Sequence, residues 1–306
     1  MAVFLLVMAP WWARQLAVFG SLSPSTASGK VLFIRDIGEW NNISTPATLD
    51  HLLGMGIGPL IMTRIGGAVA AAMIYLTLVC GFILGPTMIV GAWARRRSTE
   101  FGPFFVYAAI LFLFSALVSA VHVPGGTFIH SAVALAPYSY ILALEGIVIV
   151  IGWVAARRPS WDRDSAVRVF GGAAIAFAIV IAFAGALAVH AEWSSRRDQA
   201  NQVAQALDAA GAPQADRVMS IDASGTRYST GHGGVVLVND TLETIHDVAR
   251  AYDIRWLVLD RDDAVPAVAP ILDGGPLPAW LGTPILAEPG DGSPTRLAVY
   301  PVLATP

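Results

Sequence analysis

Cysteine is almost missing from this chain. Cys80 is the single one, so no intrachain disulfide, no thiolate metal cluster and no CxxC redox pair is available. It lies inside an apolar run, where a lone cysteine behaves as a small core residue. Charge is also scarce. Only 13% of residues are charged, against about 25% in ordinary soluble domains. There is no G-x-G-x-x-G or G-x-x-x-x-G-K-[ST] stretch, which argues against a nucleotide fold. H-E-x-x-H and closely spaced histidine pairs are absent, as is a G-x-S-x-G elbow. Metal-site spacing and the serine-hydrolase signature are therefore both lacking.

Long apolar runs are what the chain has instead, and 55% of its residues are hydrophobic. Four runs, at 65–93, 102–123, 132–155 and 169–190, are each long enough to cross a hydrocarbon core of ~30 Å. Residues 1–10 are apolar but too short to span. Trp11, Trp12 and Arg14 then read as an interfacial belt at a helix end. The opening segment is expected to be the last part of a helix whose beginning precedes the chain. Residues 15–64 are mixed and polar, punctuated by Gly and Pro, and read as a long loop with room for short interfacial helices.

Arginine distribution predicts orientation. Arg95, Arg96 and Arg97 share one short loop, and Arg157, Arg158, Arg163 and Arg168 another, while the loop between them, 124–131, has none. The positive-inside rule makes the two arginine loops cytoplasmic and puts 15–64, 124–131 and everything after His190 outside. Residues 1–190 hold 11 Lys and Arg against 7 Asp and Glu, and residues 191–306 hold 8 against 15. An acidic tail domain is a poor nucleic-acid partner.

The expected architecture is a membrane α-helical bundle of four full spans plus a truncated first one, followed by a small extracytoplasmic α/β domain. The division falls at 1–190 and 191–306. In the tail, 195–210 and 242–252 suit amphipathic helices, and 264–272 a further one. Strands are expected at 217–222, 234–238, 254–260, 285–288 and 296–302. The run IRWLVLD at 254–260 has the continuous apolar character of a strand buried on both faces, and helix alternating with strand predicts a partly parallel sheet.

Four places could carry chemistry. The loop HVPGGTFIHSAVALAP at 122–137 brings Thr127, His130 and Ser131 to the membrane surface. His130, placed at a helix start, would favour a lipid phosphate or simply be solvated there. Glu145 lies mid-span, where a carboxylate is costly unless paired or protonated. It is either a proton or ion site or a packing residue, and no fixed basic partner is evident in another span. Arg35, Asp36, Glu39 and Trp40 cluster in the first outer loop and suit a sugar or phosphate site or a solvated amphipathic turn. DASGTRYSTGH at 222–232 follows a strand, where α/β domains often bind ligands and where a plain structural turn also fits. Asn42-Ile43-Ser44 and Asn239-Asp240-Thr241 match the short glycosylation acceptor pattern.

Three ordered stretches together resemble one family. They are PWWARQLAVFGSLSPS (10–25), GGTFIHSAVALAP (125–137) and DASGTRYSTG (222–231) with VARAYDIRWLVLD (248–260). They look like the C-terminal half of bacterial GT-C type polytopic glycosyltransferases, the protein O-mannosyltransferase-like and aminoarabinose-transferase-like group. Gln15 stands where that family usually has Asn. The resemblance implies transfer of a sugar from a polyprenyl-phosphate carrier to an acceptor outside the cytoplasm, with an acidic residue as general base. Some members use a divalent cation and others do not. The family's base lies in an outer loop after a first span that is expected to precede this chain, so no catalytic residue is carried over. Arg35, Glu39, His130 and Ser131 are carried over as carrier-binding or loop-packing positions. A non-catalytic membrane protein whose outer domain binds a glycan or a protein, and a transporter built on Glu145, are the other readings.

Overall fold

The computed structural model describes residues 2–20, 31–158, 160–289 and 294–303. The protein is mostly helical, with a small sheet domain at its C-terminal end. Among the described residues, four helical runs are long and apolar enough to cross a membrane: Ile57–Val79, Thr99–Leu117, Thr127–Ala155 and Arg163–Ala209. These match the four expected runs in order and differ at their ends.

Helix α1 covers Ala2–Phe19, so it passes through Pro10 and the tryptophans instead of ending there. Ring closure at Pro10 removes one backbone donor, a loss a helix in apolar surroundings tolerates with local adjustment. The long loop holds 3-10 turns at Val31–Phe33 and Ile37–Asn41 and a short helix α2, Leu49–Leu53, whose cap Thr48 accepts from the amide of His51. The run expected as one span at 65–93 is two helices. Helix α3, Ile57–Ile74, loosens into a π-turn at Tyr75–Val79, and α4 begins at Leu84 and ends at Arg95. Between them Gly81 and Phe82 both have positive φ, 64° and 50°, which breaks the hydrogen-bond ladder. Helices α5 (Gly102–Leu117), α6 (Thr127–Ala132) and α7 (Ala136–Ala155) follow.

The chain separates into two units. One comprises Met1–Ile37, Pro46–Tyr75 and Pro103–Leu135; the other comprises Gly38–Thr45, Leu76–Gly102 and Ala136–Pro306. Within the first, Tyr75, Phe112 and Phe128 form a chain of edge-to-face rings, with centroids 5.5 and 5.2 Å apart. Gly67 packs directly on Ala120. Within the second, α4 and α7 touch through their backbones, because Gly91 faces Leu142 and Gly146 faces Thr87. Small residues at such crossings are the usual means of close helix approach in lipid.

Helix α8 runs unbroken from Arg163 to Ala209, 47 residues. The helix expected at 195–210 is therefore the continuation of the last span. The stretch between, ALAVHAEWSSRRDQA at 186–200, contains no Gly or Pro to interrupt it. The sheet is five-stranded in the order β2-β1-β3-β5-β4, from Arg217–Ser220 (β1), Gly234–Val236 (β2), Ile254–Asp260 (β3), Leu286–Glu288 (β4) and Leu297–Pro301 (β5). The pairs β1–β2 and β1–β3 are parallel, and β3–β5 and β4–β5 are antiparallel. The partly parallel sheet thus stands as expected. Val203 and Leu207 of α8 pack on one face against Val218, Val258 and Val299. Helices α10 (Leu242–Ala251) and α11 (Ala269–Leu272) cover the other through Ile245, Ala249 and Leu272. The segment 222–231, which the sequence presents as a turn, contains helix α9, Ala223–Thr230, capped by Asp222 and stopped at Gly231 with φ 78°.

Candidate functional site

The parallel part of the sheet contains a topological switch point. The chain leaves β1 through α9 to reach β2 on one side, and β3 lies on the other side of β1. Between the carboxyl ends of two strands whose connections diverge, a crevice opens, and in α/β sheets this is where ligands bind. Here it is a cavity of about 360 Å³. Its floor is Ser220 and Ile221 at the end of β1 and Val258 and Asp260 of β3. One wall is α8, through Arg196, Arg197, Gln199 and Ala200; the opposite wall is α9, through Gly225, Thr226, Tyr228 and Ser229.

The polar groups in the crevice have distinct states. The Ser220 hydroxyl is buried and lies 2.8 Å from the Thr226 hydroxyl. Asp222 accepts through Oδ1 from the Gly225 amide at 2.9 Å. Arg196 is shared between Glu192 and Asp263, each at 3.3 Å. Burial pushes the Asp260 carboxyl up from its ordinary value, and its neighbours Asp262 and Asp263 add to this, while the Asp262 amide and the Arg296 charge oppose it. Arg197 makes no ion pair or hydrogen bond among the described residues and is exposed. Tyr228 is 93% exposed at the rim.

The sequence cluster at 222–232 is therefore divided by the fold. Asp222 and Tyr228 line the crevice. Thr230 donates its hydroxyl to the Thr226 carbonyl, and His232 is buried with Nδ1 3.1 Å from the Asp216 carbonyl, so both hold local structure. Sequence reasoning missed Arg196, Arg197 and Asp260, since they come from α8 and β3. Their only linear signal is a charged pair after a span and an acid ending a strand.

The other predicted residues stand elsewhere. Arg35 donates Nε to the His51 carbonyl at 2.7 Å and so fastens the loop to α2. Glu39 is half-buried in the Ile37–Asn41 turn. His130 is exposed one turn into the helix that begins at Thr127. The Ser131 carbonyl accepts from the Tyr107 hydroxyl at 3.0 Å. Glu145 does have a basic partner in another helix. Arg95 is the last residue of α4, not a loop residue, and its Nε and Nη2 meet the Glu145 carboxylate at 2.8 and 2.7 Å. A bidentate pair of this kind gives the mid-helix carboxylate a fixed structural role. No group of three His, Cys, Asp or Glu suited to a metal ion occurs among the described residues.

Segment Gly38–Thr45 of the long loop is clasped by the sheet domain. The Asn42 side chain donates to the Asn239 carbonyl at 2.9 Å, and the Asn239 side chain donates back to the Gly38 carbonyl. The Asp240 carboxylate accepts from the amides of Ile43 and Ser44 at 3.3 and 2.9 Å. Both asparagines of the acceptor-type triplets are thus engaged in one contact. Burial opposes the Asp240 charge, but the bonds from Ser44, Thr241 and Ile43 prevail and hold its carboxyl below the ordinary range. A carboxyl lowered in this way supports the clasp at neutral pH and loses it as pH falls through the lowered value. In a background with Cys80 replaced by serine, a nitroxide at Trp40 should therefore become mobile in Asp240→Ala, and in the unaltered clasp only as pH falls below the ordinary aspartate range. An unchanged spectrum in both cases rejects this account.

A second cavity, about 550 Å³ and almost wholly apolar, lies between α4, α7 and α8 beside the stacked Trp161 and Phe170. Comparison of the chain with protein-family models, with curated proteins and with solved structures finds no match.

Proposed function

We propose that the chain works in a cell membrane as part of a glycosyltransferase that moves a sugar from a polyprenyl-phosphate carrier to an extracytoplasmic acceptor. The observation that carries this reading is the placement of the three family-like stretches. Residues 10–19 of the first lie on α1, which ends at Phe19, and residues 21–25 fall outside the described residues. The second opens an apolar helical run behind Gly126, whose φ is 94°. The third supplies α9, the end of α10 and β3 of the sheet domain. Resemblance to the GT-C group asks for a helix exit, a helix entrance and an outer α/β tail in that order.

Sidedness is supported by parity. Among the described residues, four helical runs long and apolar enough to span separate Thr45 from Asn239, an even number, and the two segments are hydrogen-bonded to each other. With the arginine clusters 95–97 and 157–168 in the cytoplasm, loop and domain share the outer side. In this reading the chain supplies late helices and the outer domain, and no catalytic base is assigned to it.

The test is carrier recognition and transfer. The chain in lipid nanodiscs should be photolabelled saturably by a radiolabelled polyprenyl-phosphate sugar, with protection by unlabelled carrier. Cells lacking the gene should lose one envelope sugar transfer. Unprotected labelling together with unchanged transfer overturns the proposal. The second reading, a non-catalytic protein whose outer domain binds a glycan or protein, is favoured by the crevice, which is complete within the sheet domain and α8.

A further inference from the structure

We infer that the crevice between β1 and β3 is a binding subsite for a neutral saccharide held at the membrane surface. The inference deepens the proposed function, and rests on it for the membrane-anchored source of the sugar but not for the sugar itself.

Charge excludes the simpler ligands. The lining carries Arg196 and Arg197 against Asp222, Asp260 and Asp263. Arg196 is already matched to Asp263, which among the described residues leaves Arg197 as one free cation facing two acids. A phosphate or carboxylate would meet more negative than positive charge there. A metal ion would find no suitable group of three His, Cys, Asp or Glu among the described residues. An apolar ligand would strand the Ser229 hydroxyl, the Asp260 carboxyl and the Arg197 guanidinium.

The same groups suit a ring of hydroxyls. Sugar hydroxyls both donate and accept, and the crevice offers both halves. Carboxylate oxygens of Asp222 and Asp260 accept, Arg197 and the Gln199 amide donate, and the hydroxyls do either. Tyr228 presents an almost fully exposed ring at the rim, where the C–H face of a pyranose can stack. A volume of about 360 Å³ lies at the small end of the ~300–1,000 Å³ of ligand pockets, which suits one or two rings rather than a long glycan.

Position supplies the membrane component. Arg196 and Arg197 follow the expected end of the last span, His190, by six and seven residues on one continuous helix. At 1.5 Å per residue the crevice wall therefore starts about 10 Å beyond the hydrocarbon, just past a headgroup layer of roughly 5–8 Å. Trp193 lies between, 63% exposed, as an interfacial anchor. A sugar joined to a membrane lipid would arrive at this level without leaving the bilayer.

The experiment uses the full chain in lipid nanodiscs with no glycoside detergent. Saturation-transfer NMR against a panel of methyl hexosides and pentosides should detect at least one binder. Tyr228→Ala and Arg197→Gln, both at exposed positions that leave the core intact, should each weaken it about tenfold. Circular dichroism and the thermal midpoint of each variant confirm folding. No binder in the panel, binding unmoved by both variants in folded protein, or displacement of the sugar by inorganic phosphate alone overturns the subsite. Tighter binding of the same sugar as its polyprenyl-phosphate conjugate assigns the anchored source, and equal affinity assigns a free acceptor glycan; either result supports the saccharide. Loss of carrier labelling with sugar binding retained rejects the transferase reading and leaves the subsite standing.

Discussion

Gly146→Leu should leave little folded protein, whereas Gly172→Leu should be nearly silent. A Cβ on Gly146 would fall 1.8 Å from the Thr87 carbonyl oxygen and 3.1 Å from the Gly91 amide nitrogen. Gly91 is in the same position from the other side, 1.9 Å from the Leu142 carbonyl oxygen. All these obstacles are backbone, so no rotamer change relieves them and the two helices must separate. Overpacking a tight core costs about 1–3 kcal/mol when side chains can adjust, and here they cannot. Separation also pulls Arg95 from Glu145, which sits next to Gly146 on α7. A Cβ on Gly172 of α8 would meet nothing within 4 Å, and leucine is the better helix former there. Thermal midpoints and monodisperse yield of the two detergent-solubilised variants make the comparison. Equal behaviour of the pair would refute the close-contact account.

Leu257→Ala should open the sheet domain while the apolar helices keep their protection. Leu257 is 1% exposed on the central strand β3, and is in register with Met219 of β1 and Tyr300 of β5. It belongs to the larger core cluster, with Met219, Ile245 and Leu272, all fully enclosed. Truncating a buried leucine costs about 2–5 kcal/mol, transfer and cavity together. Small domains hold only about 5–15 kcal/mol in total, so one such loss is a large share. Hydrogen exchange of the full chain should show faster exchange at the amides of β1, β3 and β5 and unchanged exchange along α7. Uniform acceleration across both regions, or none, contradicts a separately packed sheet core.

These two results touch features of different legibility. Leu257 stands in IRWLVLD, a run whose apolar continuity marks a doubly covered strand before any coordinates exist. The same holds for Leu242–Ala251, where Ile245 and Ala249 recur at helical spacing behind the Thr241 cap. Gly91 and Gly146 carry no comparable mark. Each is one glycine among 29, and only the crossing of α4 and α7 singles them out.

Segment 222–231 resembles a turn in the sequence for a local reason. Its Gly, Ser and Thr composition favours turns, and no apolar stripe signals a helix. The helix exists because Asp222 caps it, and because α9 has α8 and β1 to pack against. Tertiary packing overrides weak propensity there. The break at Gly81 and Phe82 is hidden in the opposite way, since uniform hydrophobicity reports depth and not continuity.

What the sequence determined by itself was everything set by short-range pattern: four apolar runs, their arginine-marked ends, the strand and helix order of the tail and its partly parallel sheet. Hydropathy and periodicity are local sums, and local sums suffice for these. Tertiary structure alone decided which distant groups meet. It joined Arg95 to Glu145 across 50 residues, clasped Asn42 to Asn239 across 197, and brought Arg197, Tyr228 and Asp260 to one crevice. Such meetings depend on how helices cross and where strand order reverses, and no window of neighbouring residues contains that information.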